Sequence, residues 1–308
     1  MNDGRPASTP MTERIELRTR EATPPRAYRV AALDLVTNAY IPALDAFAVD
    51  SPAVWIASEG YRNKAIGGQV VYDGPGWIDN RWRPVTSRHS PDGYHLSVDD
   101  VSYWIRSDGG LVVENEGAAS PSIALGSPLI LALALRGIFG LHAGVVACGE
   151  ELVAFIGESG AGKSTLARYL DEHGPPFRRI IDDTLPVGRD EEGGFVALPH
   201  LPQPKIAAAL QPAALAPERM RLRAIYLLDE VGASAGGVGI RPLGTAEAAV
   251  ALVGHTVGSR LFSRDLLSIH LGFCAAMAQA IPVRRLGYPR RFDVLPEVAA
   301  RLAADLNE

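Results

Sequence analysis

Cysteine is scarce in this chain, which has only Cys148 and Cys274 among its 308 residues. Both lie in apolar stretches. Two thiols are too few for a disulfide framework or for a cysteine set around a metal ion. We therefore expect both side chains to be buried free thiols.

A basic excess is also missing, because 30 Lys and Arg face 35 Asp and Glu and the net charge is −5. That balance argues against a nucleic-acid partner and against an anionic membrane surface. The longest apolar stretch, residues 128–146, is interrupted by Arg136 and His142 and falls short of a transmembrane span of about 20 residues. Residues 1–25 contain no apolar core of signal-peptide length, so we expect a cytoplasmic protein.

The remaining composition indicates a globular protein, since 47% of the residues are hydrophobic. Residues 1–26 are polar and without a sustained period, which predicts a disordered arm with at most a short strand at 15–17. Residues 27–126 consist of short β-branched and aromatic segments, one of them at 28–35, separated by turn residues, as in a mostly antiparallel β-rich domain. Residues 127–308 mix helical and strand patterns. We therefore expect an α/β fold with an N-terminal β-rich unit.

The most informative stretch, ELVAFIGESGAGKSTLARYL, runs from Glu151 to Leu170. Gly157, Gly162, Lys163 and Ser164 have the G-x-x-x-x-G-K-S spacing of a phosphate-binding P-loop between a strand and a helix. Glycines let the backbone N–H groups wrap a phosphate, and the start of the helix adds its positive dipole end. Lys163 supplies a cation for the phosphates, and the Ser164 hydroxyl can ligate Mg²⁺. The sequence therefore predicts a site for a nucleoside triphosphate with Mg²⁺.

Two pairs of carboxylates compete for the chemistry at this site. Asp182 and Asp183 end the apolar segment RRIIDD, and Asp229 and Glu230 end AIYLLDE. Two adjacent aspartates suit a kinase, because one can hold the metal while the other takes a proton from a hydroxyl. An Asp-Glu pair after an apolar strand suits an ATPase, in which the glutamate polarises water. The residues alone leave both interpretations open.

His142 is a further candidate, because its ring stands in the apolar run LHAGVV just before the loop and needs a polar partner there. Taken together, LHAGVV, GESGAGKST and IIDDT resemble the HPr kinase/phosphorylase family over residues 141–184. The resemblance is looser from residue 199 onward, in LPQPKIAAAL, RPLGTAEAAVALV and AIPVRRLGYP.

The resemblance implies a catalytic domain similar to that of phosphoenolpyruvate carboxykinase, with ATP and Mg²⁺ as cofactors. It implies that Asp182 is the base, that Ser164 and Asp183 serve the metal, and that His142 and Lys163 lie near the transferred phosphoryl group. The residues implied to bind the ATP phosphates are Gly157, Ser159, Gly160, Ala161, Gly162, Lys163, Ser164 and Thr165.

One departure from the family concerns residues 197–210, ALPHLPQPKIAAAL. The bifunctional enzymes carry an Arg-Gly-Leu-Gly-like core and a metal-binding glutamate after the Asp pair, and this segment has neither. The departure argues against dephosphorylating activity and against HPr as the substrate.

Small relatives of this type phosphorylate ribosomally made peptides, including lasso peptides. We therefore expect a serine hydroxyl of a peptide or small protein as the acceptor. Lys205, Arg260 and Arg264 are candidates for gripping a substrate anion. A nucleotide-gated regulator, a small-molecule kinase and a homo-oligomer are left open.

Overall fold

The computed structural model describes most of the chain, and the ranges are 14–18, 24–38, 40–50, 67–78, 81–107, 111–113, 121–173, 175–203, 206, 211–230 and 237–307. Lys205, one of the candidates for gripping a substrate anion, lies outside these ranges. Within them, no helix is both long enough and apolar enough to cross a membrane. The elements mix helices and strands, so the expected α/β class is confirmed.

The N-terminal part forms one sheet of eight strands in the order β2-β3-β1-β8-β7-β6-β5-β4. β1 lies parallel to β3 and to β8, and the other pairs are antiparallel. The strands are β1 Arg14–Arg18, β2 Arg26–Val30, β3 Leu33–Thr37, β4 Gln69–Ile78, β5 Arg81–Ser90, β6 Gly93–Val98, β7 Val101–Arg106 and β8 Leu111–Val113.

One expectation for this part is met and one needs correction. The short strand expected at residues 15–17 is present as Arg14–Arg18, which lies between β3 and β8 with Ile15 and Leu17 almost fully buried. The single strand expected at 28–35 is a hairpin, because the chain turns at Ala31 and Ala32 with φ of 49° and 59°. Alanine rarely adopts this left-handed conformation, so the sequence carried no turn signal there.

The second sheet contains the glycine-rich loop and closes on itself. β10 pairs with β9 and β14, and the path continues from β9 through β12 and β13 back to β14. β10, β14 and β16 are parallel to one another, so their carboxyl ends meet at one edge. The strands are β9 Phe139–Cys148, β10 Glu151–Ile156, β11 Phe177–Ile181, β12 Thr184–Arg189, β13 Phe195–Ala197, β14 Met220–Glu230, β15 Gly239–Pro242 and β16 Val283–Tyr288.

Helices cover both faces of this sheet. The helices are α1 Ser127–Ala134, α2 Lys163–Glu172, α3 Thr245–Gly254, α4 Arg264–Ala280 and α5 Leu295–Leu306. Buried side chains of α2 and α5 share one apolar cluster with alternate residues of β10 and β14. The opposite face packs against α1, α3 and α4, and that cluster continues into the N-terminal sheet. A closed sheet with layers on both sides gives the loop a rigid support.

Backbone contacts join the two sheets. The Ala31 N–H donates to the His200 carbonyl at 2.6 Å, and the Ser263 N–H donates to the Tyr94 hydroxyl at 2.8 Å. Ser263 is the N-cap of α4 and accepts from the Leu266 N–H, while Tyr94 is fully buried in the N-terminal sheet. The N-terminal sheet therefore holds the start of α4.

His270 of α4 is fully buried beside β9, with its ring 5.0 Å from that of Phe139. Its Nε2 lies 2.9 Å from the Thr256 hydroxyl and 3.2 Å from the Cys274 sulfur. Burial lowers the pKa of His270 and raises the pKa of the Cys274 thiol to about 12. Cys274 is thus a buried free thiol, as the sequence predicts, whereas Cys148 is a free thiol that is only partly buried.

The pH dependence of stability tests this environment of His270. Below an unfolded-state pKa of about 6.5, the unfolded chain takes up a proton that buried His270 resists. The free energy of unfolding should therefore fall as the pH drops from 7.5 to 5.5, with His255, whose pKa is also lowered, contributing in the same direction. We expect His270→Phe to show a smaller fall than the wild type in urea unfolding at the two pH values. An equal fall in both proteins would contradict this account.

Candidate active site

The glycine-rich loop connects β10 to α2 at the edge where the parallel strands end. Gly160 and Gly162 have φ of 81° and 96°, which a residue with a Cβ rarely adopts. A Cβ at Gly144 of β9 would lie 2.8 Å from the Lys163 carbonyl oxygen, so glycine there lets the start of α2 touch the sheet. The strand, loop and helix expected from the sequence are therefore present in that order.

Lys163 is only 7% exposed, although it carries a charge. Its ammonium donates to the carbonyl oxygens of Gly157 at 2.7 Å and Glu158 at 3.0 Å. These contacts hold the cation inside the loop, close to the unpaired amides at the start of α2. The arrangement concentrates positive charge where an anion would bind.

His142 points to the same side of the sheet as Gly144, because residues two apart on a strand share a face. Its Nδ1 lies 3.1 Å from the Asp183 carbonyl oxygen and 3.7 Å from Asp183 Oδ1. A carbonyl oxygen only accepts, so Nδ1 carries a proton in this contact. The structure thus brings His142 and Asp183 together, as the resemblance implies.

Asp182 differs from Asp183 in burial. Asp182 is 6% exposed, and its Oδ1 has no hydrogen-bond partner among the described residues. The other oxygen, Oδ2, lies 3.7 Å from the Arg179 guanidinium. A buried carboxylate oxygen without a partner is costly in a folded protein, so this atom points to a ligand or a substrate proton.

His255 belongs to the site, and sequence reasoning missed it. The backbone carbonyl oxygen of His255 accepts a hydrogen bond from the backbone N–H of His142 at 2.8 Å. This bond places the end of α3 beside β9, close to the residue at which β10 ends. Burial lowers the pKa of His255, the Glu158 carboxylate raises it, and the charges of Lys163 and His142 lower it further. His255 is therefore a neutral imidazole next to the loop, and no local motif around it signals this place.

Two further residues contact the site without a sequence signal. The Tyr288 hydroxyl would lie 3.3 Å from a Cβ at Gly162, so the end of β16 backs the loop. Gln203 donates to and accepts from the backbone around the Asp182-Asp183 bend. Both residues come from parts of the chain that are distant in sequence from the loop.

The Asp229-Glu230 pair also follows a strand that ends at this edge, but Asp229 points away from the loop. Tyr226 and Leu228 share the α2 cluster, so alternation puts Asp229 on the opposite face, toward α3. There the Asp229 carboxylate pairs with Arg285, which also contacts Glu247 at 2.6 Å. The side chain of Glu230 lies outside the described part of the chain.

The candidate anion-gripping residues are not gathered at the loop. The Arg260 guanidinium contacts the Tyr72 hydroxyl of β4 at 3.4 Å and is exposed. Arg264 is exposed in the first turn of α4. Neither arginine has a recorded contact with the loop or with the Asp182-Asp183 bend.

The residues present fit Mg²⁺ held together with a nucleotide. Within the described ranges, no three His, Cys, Asp or Glu side chains are grouped to hold a metal ion by themselves. Mg²⁺ in kinase sites needs only one or two carboxylates besides phosphates and water. The Asp183 carboxylate and the Ser164 hydroxyl at the start of α2 are ligands of the type that Mg²⁺ prefers.

The chain has a distant likeness to a solved protein structure. No protein family model and no curated protein matches the chain. Among solved structures, the chain is similar to the HPr(Ser) kinase/phosphatase from Coxiella burnetii, with 11% identity and a TM-score of 0.30. The match covers 54% of this chain and 95% of that one. A likeness this distant does not bear on function, so the proposal below rests on this chain's own residues.

Proposed function

We propose that this protein is an ATP-dependent kinase that transfers the γ-phosphoryl group to a serine hydroxyl of a peptide or small protein. The observation that carries the proposal is the buried Asp182 oxygen without a partner, at a bend whose next residue, Asp183, contacts His142. His142 lies two residues before Gly144 on β9, and the backbone carbonyl of Lys163 packs against Gly144. These contacts support a site in which the base, the phosphate-binding loop and a metal carboxylate lie at one edge of the sheet.

Asp182 is suited to act as the base. Its Oδ1 can take the proton of the acceptor hydroxyl while the acceptor oxygen forms a bond to the γ-phosphorus and the bond from that phosphorus to the bridging oxygen breaks. The Arg179 guanidinium lies 3.7 Å from Oδ2, which leaves Oδ1 as the oxygen that can take the proton. The proton therefore ends on Asp182 and the phosphoryl group on the acceptor.

The loop and its neighbours hold the anion. Residues 157–165 present backbone N–H groups, and Lys163 adds a buried cation beside them. Mg²⁺, held by Ser164 and Asp183, would neutralise charge on the phosphates. His142 is oriented by its contact with the Asp183 carbonyl, on the strand that also carries Gly144.

The acceptor class is supported by the resemblance of residues 141–184 and by the departure in 197–210. These features favour a small kinase without dephosphorylating activity, of the type that modifies ribosomally made peptides such as lasso peptides. The test is to incubate the purified protein with ATP, Mg²⁺ and a precursor peptide encoded beside its gene. A gain of one phosphoryl group on a serine, located by tandem mass spectrometry, is the expected result. ATP hydrolysis without any modified acceptor would contradict the proposal.

The alternative is an ATPase or nucleotide-gated regulator that uses Asp229 and Glu230. Two single substitutions, one at each of these residues, separate the two functions. Because Asp229 is tied to Arg285 on the α3 face, we expect Glu230→Gln and Asp229→Asn to change ATP turnover by less than about threefold, as substitutions outside the reacting groups do. Turnover is measured by release or transfer of labelled phosphate. Loss of turnover in Glu230→Gln, with an active Asp182→Asn, would favour the alternative.

A further inference from the structure

The Asp182-Asp183 bend is held by the side chain of Gln203, which reaches it from another loop. Gln203 Oε1 accepts from the N–H groups of Asp182 at 3.4 Å and Thr184 at 3.2 Å. Its Nε2 donates to the carbonyl oxygens of Thr184 at 3.1 Å and Leu201 at 2.9 Å. The amide therefore contacts the backbone on both sides of Asp183.

Gln203 is itself held in place by Gln211. Gln211 Oε1 accepts from the Gln203 N–H at 2.9 Å, and Gln211 Nε2 donates to the Gln203 carbonyl at 3.3 Å and to the Ile206 carbonyl at 2.9 Å. Gln203 is 1% exposed and Gln211 is 5% exposed. Buried amides with this many partners are confined to one orientation, because turning either would leave polar groups unpaired in a low-dielectric interior.

The direction of the two carboxylates depends on this backbone. Asp182 is buried with a partnerless oxygen, while Asp183 extends toward His142. Two adjacent carboxylates repel each other, so a bend free to move would rotate Asp182 toward water. Hydrogen bonds to the N–H groups of Asp182 and Thr184 resist that rotation.

We propose that Gln203 is a positioning residue that aims Asp182 and Asp183 at the bound Mg²⁺-nucleotide, with Gln211 locking Gln203. Gln203 acts through the backbone of the bend and touches no reacting atom. This inference rests on the proposed function, since it gives the two carboxylates their roles in metal binding and proton transfer.

The test compares nucleotide affinity with and without metal, because a merely structural defect would not change their ratio. Binding of the non-hydrolysable β,γ-imido analogue of ATP is measured by calorimetry in Mg²⁺ and in EDTA. For Gln203→Met, which keeps the length and loses the hydrogen bonds, we expect the gain in affinity from Mg²⁺ and the rate of phosphoryl transfer to fall by about 10- to 100-fold. Affinity in EDTA should stay within about twofold of the wild type.

Two other variants complete the experiment. Gln279→Met changes an exposed glutamine of α4 in the same way and should behave like the wild type. Gln211→Met leaves the side-chain bonds of Gln203 in place and should give a smaller loss with the same dependence on Mg²⁺. If circular dichroism shows that Gln203→Met is unfolded, Gln211→Met serves as the test variant.

Three outcomes are informative. A folded Gln203→Met with wild-type transfer and a wild-type Mg²⁺ effect would overturn the inference, and so would an unfolded Gln203→Met beside a fully wild-type Gln211→Met. A wild-type protein that binds the analogue equally well in Mg²⁺ and EDTA would instead count against the proposed function. The failures of the two proposals are therefore distinguishable.

Discussion

Asp182→Asn should reduce phosphoryl transfer by at least about 100-fold, because general-base catalysis by a positioned carboxylate contributes on that order. Asparagine keeps the shape of the side chain but cannot take the acceptor's proton. Since the change lies at the bend and not in the loop, we expect nucleotide affinity to change by less than about tenfold. Single-turnover transfer from ATP, measured beside equilibrium binding, separates the two effects.

The control for this substitution is Asp293→Asn, which removes an exposed carboxylate paired with Arg291. It should leave both measurements unchanged. Asp182 is 6% exposed and lies near Arg179, so the variant's fold is checked by thermal unfolding. Undiminished transfer by a folded Asp182→Asn would remove Asp182 as the base.

Lys163→Met is expected to weaken nucleotide binding by about 10- to 100-fold, the range for losing a hydrogen bond to a charged group. Turnover should fall as well, because the lysine also faces the charge that develops on the transferred group. Methionine preserves most of the buried volume of this side chain. Methionine cannot form the hydrogen bonds that Lys163 donates to the carbonyl oxygens of Gly157 and Glu158. We expect their loss to loosen the loop and to add to the loss of nucleotide affinity.

Arg168→Met is the matched control for the lysine, since it removes a cation from the exposed face of the same helix. Calorimetric titration with ATP and Mg²⁺ on both variants gives the comparison. Equal affinity of Lys163→Met and the wild type would show that the loop does not bind the nucleotide. Equal loss in both variants would point to a general effect of charge.

Local sequence determines the parts of the site that depend on neighbouring residues. The order of apolar run, glycines, lysine and helical pattern between Glu151 and Glu172 gives β10, the loop and α2 in nearly the expected places. Glycine conformations and helix hydrogen bonds involve residues close in the chain, so a pattern can reveal them. The position of Asp182 at the end of an apolar strand follows for the same reason.

Contacts between distant segments were not predictable in this way. The residues at 15–17 suggested a short strand, but nothing in their pattern showed that β3 and β8 flank Arg14–Arg18 in parallel. The turn at Ala31 and Ala32 uses a left-handed backbone that alanine disfavours, held by the bond from Ala31 to His200. At this turn tertiary contacts outweigh local preference.

The surroundings of the two carboxylate pairs also differ only in three dimensions. Both pairs follow apolar strands, and their sequences leave them equivalent. Because side chains alternate along β14, Asp229 faces α3 and forms an ion pair with Arg285. The bend after β11 instead keeps Asp182 buried and places Asp183 against His142. Sheet pairing sets which face each side chain occupies.

The sequence by itself determined a glycine-rich loop between a strand and a helix and an α/β class, and it proposed a candidate base, because each depends on short-range geometry. Only the tertiary structure decided that His142, His255 and Gln203 surround the loop and the bend. The closure of β10 onto β14 and the packing of α3 and α4 bring these segments together. Such contacts depend on the burial of surfaces far apart in the chain, which no local pattern encodes.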